Sequence, residues 1–181
     1  ETCPDNLIGF AIALSDAVRP VSMSYFRTPV QTEVKEDKSP VTVADREAEA
    51  TMREMIEASY PHHGIYGEEY GTVRSDAEYV WVLDPIDGTK SFLIGKPLFG
   101  TLIGLLHKGH ALLGVIDMPA LNERWVGARG HITTFNNYPV STRPCISLSD
   151  AWMLATSPEM FTGSNQAAFH CLKEKVQFMR W

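Results

Sequence analysis

The chain has 181 residues, a formal net charge of −6 and 44% hydrophobic content. That length suits one domain or one and a half, and the composition is that of a globular protein able to bury a core without disulfides. The acidic balance argues against nucleic acid as the main partner, because a phosphate-backbone binder displays a basic face. Cys3, Cys145 and Cys171 are far apart and odd in number, which reads as free thiols in a reducing compartment. No uninterrupted apolar run approaches the roughly 18 residues of a membrane span, and Glu1 to Asn6 lacks a basic-then-apolar signal pattern. The expectation is a soluble intracellular protein with neither a membrane nor a nucleic-acid partner.

Leu7, Phe10, Ala11, Leu14, Ala17 and Val18 recur at helical spacing. They predict an amphipathic helix that ends near Arg19-Pro20, or kinks there and continues toward Phe26. Gln31 to Pro40 is polar and charged and reads as a loop. Thr42-Val43-Ala44-Asp45 matches a capping box, and Ala48, Met52, Met55, Ile56 and Ser59 extend it into a second helix that Pro61 stops. At Tyr79 the period changes, and Tyr79 to Leu83 predicts a short buried strand. Phe99 to Leu106 and Ala111 to Met118 predict a hairpin around His107-Lys108-Gly109-His110. Glu123 to Ala128 predicts a strand, Arg129-Gly130 a turn, and Ile132 to Phe135 and Val140 further extended pieces around Asn136-Asn137.

Two helices followed by a meander of strands predict an α+β fold. Ser141 to Asp150 reads as a connection. Ala151 to Thr156 predicts a strand, Gln166 to Glu174 a helix and Val176 to Met179 another strand. We expect an N-terminal α+β domain over 1–146 and the beginning of a second α/β domain over 147–181. A chain that stops at Trp181, just as a new layer forms, is expected to be an incomplete sequence.

The chemistry concentrates at Asp84-Pro85-Ile86-Asp87-Gly88-Thr89. Pro85 removes a backbone donor and interrupts the ladder, so the carboxylates of Asp84 and Asp87 can converge. Close carboxylates repel and raise a pKa unless a cation lies between them, and hard oxygen ligands suit Mg²⁺. Gly88 lets the backbone approach a ligand, and free N–H groups at a helix start bind phosphate oxygens. The plainer reading of D-P-x-D-G is an Asx turn. Glu68 and Glu69 end the apolar Ile65-Tyr66 run; adjacent glutamates are ordinarily solvated surface, but strand ends on one side of a sheet bring such residues together.

Gly67-Glu68-Glu69 and Asp84 to Thr89, with Glu69 and Asp84 fifteen positions apart, resemble the paired metal motifs of the inositol monophosphatase family. Ser39-Pro40-Val41-Thr42-Val43-Ala44-Asp45 is similar to that family's segment near its first helix–loop junction, and the resemblance runs through essentially the whole chain. It implies a layered α-β-α-β-α sandwich of the inositol monophosphatase/fructose-bisphosphatase type with its second domain incomplete. It implies two or three Mg²⁺ ions per site in the complete enzyme, with Glu68, Asp84 and the Ile86 carbonyl binding one, and Asp84 and Asp87 sharing a second. Asp87, Gly88, Thr89 and Lys90 would hold the phosphate. Glu68, and Thr89 paired with Asp45, would serve catalysis by positioning and deprotonating the attacking water. Lys38 and Glu69 would shape the metal loop from behind.

Lys90-Ser91-Phe92 with Gly95 to Thr101, Pro139 to Arg143, and Ala155 to Phe161 resemble the histidinol-phosphate phosphatase branch. The implied function is a Mg²⁺-dependent phosphate-monoester hydrolase of histidine biosynthesis acting on a small phosphorylated metabolite, as a homodimer, in a plastid if plant or algal and in the cytoplasm if bacterial. The alternatives are an inositol or sugar 1-phosphate phosphatase, and a fragment without catalysis. The family carries a further metal-ligand aspartate in a Trp-Asp or Tyr-Asp pair, and these 181 residues contain neither pair. Outside the motifs, His62-His63 and the pair His107 and His110 read as solvated loop residues. Trp125 and Trp152 read as core, Asp117 as the end of a hairpin strand and Arg143 as solvated.

Overall fold

The computed structural model describes residues 1–30, 32–34 and 40–181; Lys38, expected to shape the metal loop, lies outside them. The described chain divides into two compact units, Glu1–Val140 and Ser141–Trp181.

The first unit begins with α1, Asp5–Tyr25. The helix continues through Pro20, although proline removes an intrahelical bond there. Ser22, fully buried, ties the following turn by donating from Oγ to the carbonyls of Val18 and Arg19 at 3.3 and 3.2 Å. By length and mean composition α1 is apolar enough to cross a bilayer. Here its stripe of Leu7, Ala11, Leu14 and Val18 is packed into the main core, as in a core helix of a folded domain.

Two short strands, β1 (Thr32–Val34) and β2 (Pro40–Thr42), then pair antiparallel, with Thr32 opposite Thr42 and Val34 opposite Pro40. The expected loop over 31–40 therefore has strand structure at both described ends. Its polar sequence concealed the pairing because a two-stranded ribbon needs no apolar stripe of its own. Helix α2, Val43–Ser59, follows at once. Its capping box forms as expected: the Thr42 hydroxyl accepts from the backbone of Ala44 and Asp45, and Asp45 accepts from the Thr42 N–H at 2.8 Å.

The remaining strands are β3 (Gly64–Gly67), β4 (Gly71–Val73), β5 (Tyr79–Asp87), β6 (Gly100–His107), β7 (His110–Met118), β8 (Glu123–Ala128), β9 (Thr134–Phe135) and β10 (Tyr138–Pro139). Among the described residues they form one eight-stranded sheet of order β10-β9-β8-β7-β6-β5-β3-β4. Only β3 with β5 is parallel; the other pairs are antiparallel. Trp81, Leu83, Ile103, Leu105 and Val115 bury one sheet face against α1 and α2. The five-residue helix α3, Thr89–Leu93, follows β5. A smaller cluster of Ala44, Ile86, Phe92 and Phe99, with Phe26 against it, lies where α2 begins and β5 ends.

Asp117 fastens α1 to the sheet. It is 1% exposed and stands next to the last residue of β7, at the end of the hairpin strand as expected. Its carboxylate accepts from Arg19 Nε and Nη2 on α1, both at 2.9 Å, and from Arg124 Nε on β8 at 2.6 Å. Two histidines depart from the solvated reading. His63 stacks between Tyr60 and Tyr79 and accepts from the Trp81 indole N–H at 3.1 Å. His107 stacks on Tyr79 and bonds Glu1 and Glu78.

The second unit is a strand–helix–strand piece. β11 (Trp152–Leu154) pairs parallel with β12 (Phe178–Arg180), and α4 (Ser164–Lys173) connects them. Phe169 is buried against Phe161 and Trp181. Trp152, expected in a core, is 61% exposed; its indole N–H donates to Gln177 and the Arg143 guanidinium lies over its ring.

Removing the buried anion that Arg19 and Arg124 share leaves their charge undercompensated, with the exposed Asp16 still paired to Arg124. Asp117→Asn should lower the unfolding free energy by about 3 kcal/mol, read from the urea midpoint at constant slope. A loss below about 1 kcal/mol would show that the two arginines find equivalent partners.

Candidate active site

In an unbroken strand, residues three apart face opposite sides of the sheet. Asp84 and Asp87 escape that rule because β5 carries a bulge. Asp84 opposes Leu102 and Asp87 opposes Gly100, so Pro85 and Ile86 together face the single residue Thr101. One extra residue shifts the parity: Leu83 and Ile86 are both buried, and Asp84 and Asp87 share the other face. β5 thus runs to Asp87, beyond the strand expected to end at Leu83. The Pro85 carbonyl, displaced from the ladder, accepts from the buried Thr101 hydroxyl at 2.9 Å.

Register brings the third carboxylate alongside. Gly67 on β3 lies beside Leu83, and the Glu68 N–H donates to the Leu83 carbonyl at 3.3 Å. Glu68 therefore falls next to Asp84, and the two carboxyls share a hydrogen bond.

The fourth carboxylate comes from α2. Asp45 is 2% exposed. Its Oδ2 accepts from the Thr42 hydroxyl at 2.6 Å and the Thr42 N–H at 2.8 Å, which fixes the rotamer and leaves Oδ1 toward Thr89. Thr89 Oγ1 lies 3.5 Å from Asp45 Oδ1 and 3.1 Å from the Ile86 carbonyl oxygen. The hydroxyl has two acceptors within reach and one hydrogen to give. Gly88 makes the turn into α3 with φ +87°, and a Cβ there would stand 3.0 Å from the Leu98 carbonyl oxygen; only glycine meets both conditions without strain.

Charge crowding governs the electrostatics. Burial, then the charge of Glu68 and the hydrogen bond with it, then Asp87 and Asp45, push the Asp84 carboxyl up to about 8. Burial also raises Asp45, opposed by the Thr42 hydrogen bonds. Among the described residues, Asp84 Oδ1 is buried with no hydrogen-bond partner. A buried carboxylate oxygen without a donor, inside a cluster of negative charge, is the environment that a divalent cation relieves. Among the described residues no three His, Cys, Asp or Glu side chains gather into a cage. One or two carboxylates with a carbonyl and waters is a donor set that suits Mg²⁺, so the residues present fit it.

The structure brings together Asp45, Glu68, Asp84, Ile86, Asp87 and Thr89 from the sequence expectation. Gly88 and Lys90 lie exposed at and just after the turn, and Glu69 is half-buried behind Glu68. Sequence reasoning missed two supports, Thr101 under the bulge and Glu49 behind the Glu68 loop. Glu49 was detectable: it lies four residues after Asp45 and three before Met52, a charged residue on the buried stripe of α2.

The sequence signature of the Inositol monophosphatase family matches residues 4–176. The chain is 47% identical to the bifunctional phosphatase IMPL2, chloroplastic, of Arabidopsis thaliana over 98% of this chain and 52% of that protein. It is 38% identical to a histidinol-phosphatase of Chlorobaculum parvum over 82% of this chain and 58% of that protein. The chain therefore spans about half the length of the curated relatives it matches. Its fold superposes on an inositol monophosphatase from Zymomonas mobilis with a TM-score of 0.85 and 40% identity, covering 97% of this chain and 68% of that one.

A raised carboxyl pKa favours the folded state below the unfolded value, and that contribution is lost as pH rises through the folded value. In chelator, Asp84 should therefore destabilise the protein progressively from about pH 4 to 8. Asp84→Asn should raise the melting temperature at pH 8 and change it little near pH 4. The gain is on the order of 1–2 kcal/mol after discounting for partial exposure. An Asn variant less stable than wild type at pH 8 in chelator would contradict the crowding.

Proposed function

The chain belongs to the inositol monophosphatase family, and on that premise we propose that the protein is a Mg²⁺-dependent phosphate-monoester hydrolase whose substrate is histidinol phosphate. The observation that carries the chemistry is the partnerless Asp84 Oδ1 among clustered carboxylates, next to Gly88-Thr89. Histidinol phosphate is supported by the bacterial relative that bears that name and by the stretches 90–101, 139–143 and 155–161. A plastid location, as in the name of the Arabidopsis relative, and a homodimeric assembly belong to the same proposal.

Glu68, Asp84 and the Ile86 carbonyl would hold one cation, and Asp84 with Asp87 a second. Bound Mg²⁺ supplies positive charge against the phosphate and lowers the pKa of water. The chain's own residues do the positioning, which is most of what phosphoryl transfer requires. Asp45, fixed by Thr42, accepts from the Thr89 hydroxyl. So directed, Thr89 presents a lone pair to the attacking water and orients it, while Asp45 draws the proton away. The Gly88 and Thr89 N–H groups and the Lys90 ammonium hold the phosphate oxygens. Glu68 completes the acidic wall beside the water.

The full-length protein with Mg²⁺ should hydrolyse histidinol phosphate with a kcat/KM at least roughly tenfold above that for inositol 1-phosphate, a difference of about 1.4 kcal/mol in transition-state binding. Thr89→Ala should lower kcat about a hundredfold, and Asp84→Asn should abolish turnover. Preference for the inositol ester would overturn the substrate. Activity that survives chelator or Asp84→Asn would overturn the chemistry.

A further inference from the structure

Glu49 has no part in the chemistry described so far, yet it is a fully buried carboxylate. Its Oε2 accepts from the Glu69 N–H at 2.7 Å, and its Oε1 accepts from the Tyr70 N–H at 3.1 Å and from Arg53 Nε at 2.7 Å. Arg53, one turn further along α2, also donates from Nη2 to the Gly71 carbonyl, and its guanidinium lies 5.9 Å from the centre of the Tyr70 ring. The pair therefore grips the β3–β4 turn by two N–H groups and one carbonyl. Gly67 admits the grip: a Cβ there would overlap both the Glu49 carboxylate and the Arg53 guanidinium.

We infer that Glu49, supported by Arg53 and seated against Gly67, is a positioning residue that fixes Glu68 for cation binding; this rests on the metal-site reading given above. The geometry leaves little freedom. Glu68 is flanked by Gly67, whose missing side chain is occupied by Glu49, and by Glu69, whose N–H is held by Glu49. Charge-assisted bonds to two successive backbone N–H groups set the direction of the chain at the residue before them. Helix α2 contributes Asp45 to the Thr89 side and, one turn on, Glu49 to the Glu68 side. A single rigid helix thereby sets the spacing between the two halves of the site. The cost of a buried carboxylate is met by three donors from three residues, with Gly67 supplying the space.

The test compares wild type and Glu49→Gln of the full-length protein, by Mg²⁺ titration of the melting temperature and by amide hydrogen exchange in chelator. The amide of Gln accepts at one atom only, so one of the two N–H groups is released. In chelator, the segment bearing Glu69 and Tyr70 should exchange at least roughly tenfold faster, with the β5–β6 ladder unchanged. The Mg²⁺ midpoint should rise about tenfold or more, as when a group that orients a metal ligand is removed, and kcat at saturating Mg²⁺ should remain within a few-fold. Gly67→Ala, which displaces the same carboxylate without altering its charge, should shift the midpoint in the same direction, and it serves if Glu49→Gln does not fold. A lower melting temperature with an unchanged Mg²⁺ midpoint and unchanged Glu69–Tyr70 exchange would reduce Glu49 to a structural ion pair and overturn the inference. Wild type that does not respond to Mg²⁺ at all would instead overturn the metal-site reading beneath it.

Discussion

Mutual repulsion among carboxylates, imposed by one extra residue in β5, is the constraint on which the site depends. The bulge at Pro85 and Ile86 places Asp84 and Asp87 on one face of the sheet. The parallel register with β3 then sets Glu68 beside Asp84. Left uncompensated, this arrangement opposes folding at neutral pH, and the elevated Asp84 pKa expresses that opposition. The fold tolerates it because Ile86, on the same bulge, is buried with Phe92 and Phe99, and because Thr101 satisfies the carbonyl the bulge displaced. Apolar burial beneath the bulge holds charge together above it, leaving an electrostatic strain that a divalent cation relieves.

Much of the site's support comes from α2. Its capping box is a general device for starting a helix, but here the box is also functional geometry. The Asp45 oxygen that bonds Thr42 closes the cap, and the other oxygen faces Thr89. One turn later Glu49 turns inward to the Glu68 loop. The helix is held in place by its apolar stripe of Ala48, Met52 and Ile56 against the sheet and α1. Core packing and site geometry therefore share one element, and a change that tilts α2 is felt at both ends of the carboxylate cluster.

The sequence made legible whatever has a local signature. The capping box, the long helices, the hairpin of β6 and β7 and the acidic motifs could be read because each depends on residues close along the chain. What escaped depends on partners distant in sequence or on the absence of a side chain. The β1–β2 ribbon is set by pairing between segments that look polar and loop-like. The bulge follows from register against Thr101, sixteen residues away. Glu49 acts on N–H groups twenty residues downstream through a gap at Gly67, and His63 and His107 are held by ring stacks that single-residue polarity does not reveal. Trp152 was misjudged for a related reason, since strand periodicity shows that a residue alternates but not that its face is covered.

The most direct measurement of the central claim is a crystal structure of the full-length protein soaked with Mn²⁺ in place of Mg²⁺, with anomalous scattering recorded at the manganese edge. Anomalous density should lie within direct bonding distance of Asp84 Oδ1 and be bordered by Glu68, the Ile86 carbonyl and Asp87. The carboxylates of Asp45, Glu68, Asp84 and Asp87 should keep the mutual arrangement that the β5 bulge and the β3–β5 register impose. Density elsewhere, or an Asp84 Oδ1 found bonded to a protein donor in the soaked crystal, would contradict the claim that this carboxylate cluster is built around a cation.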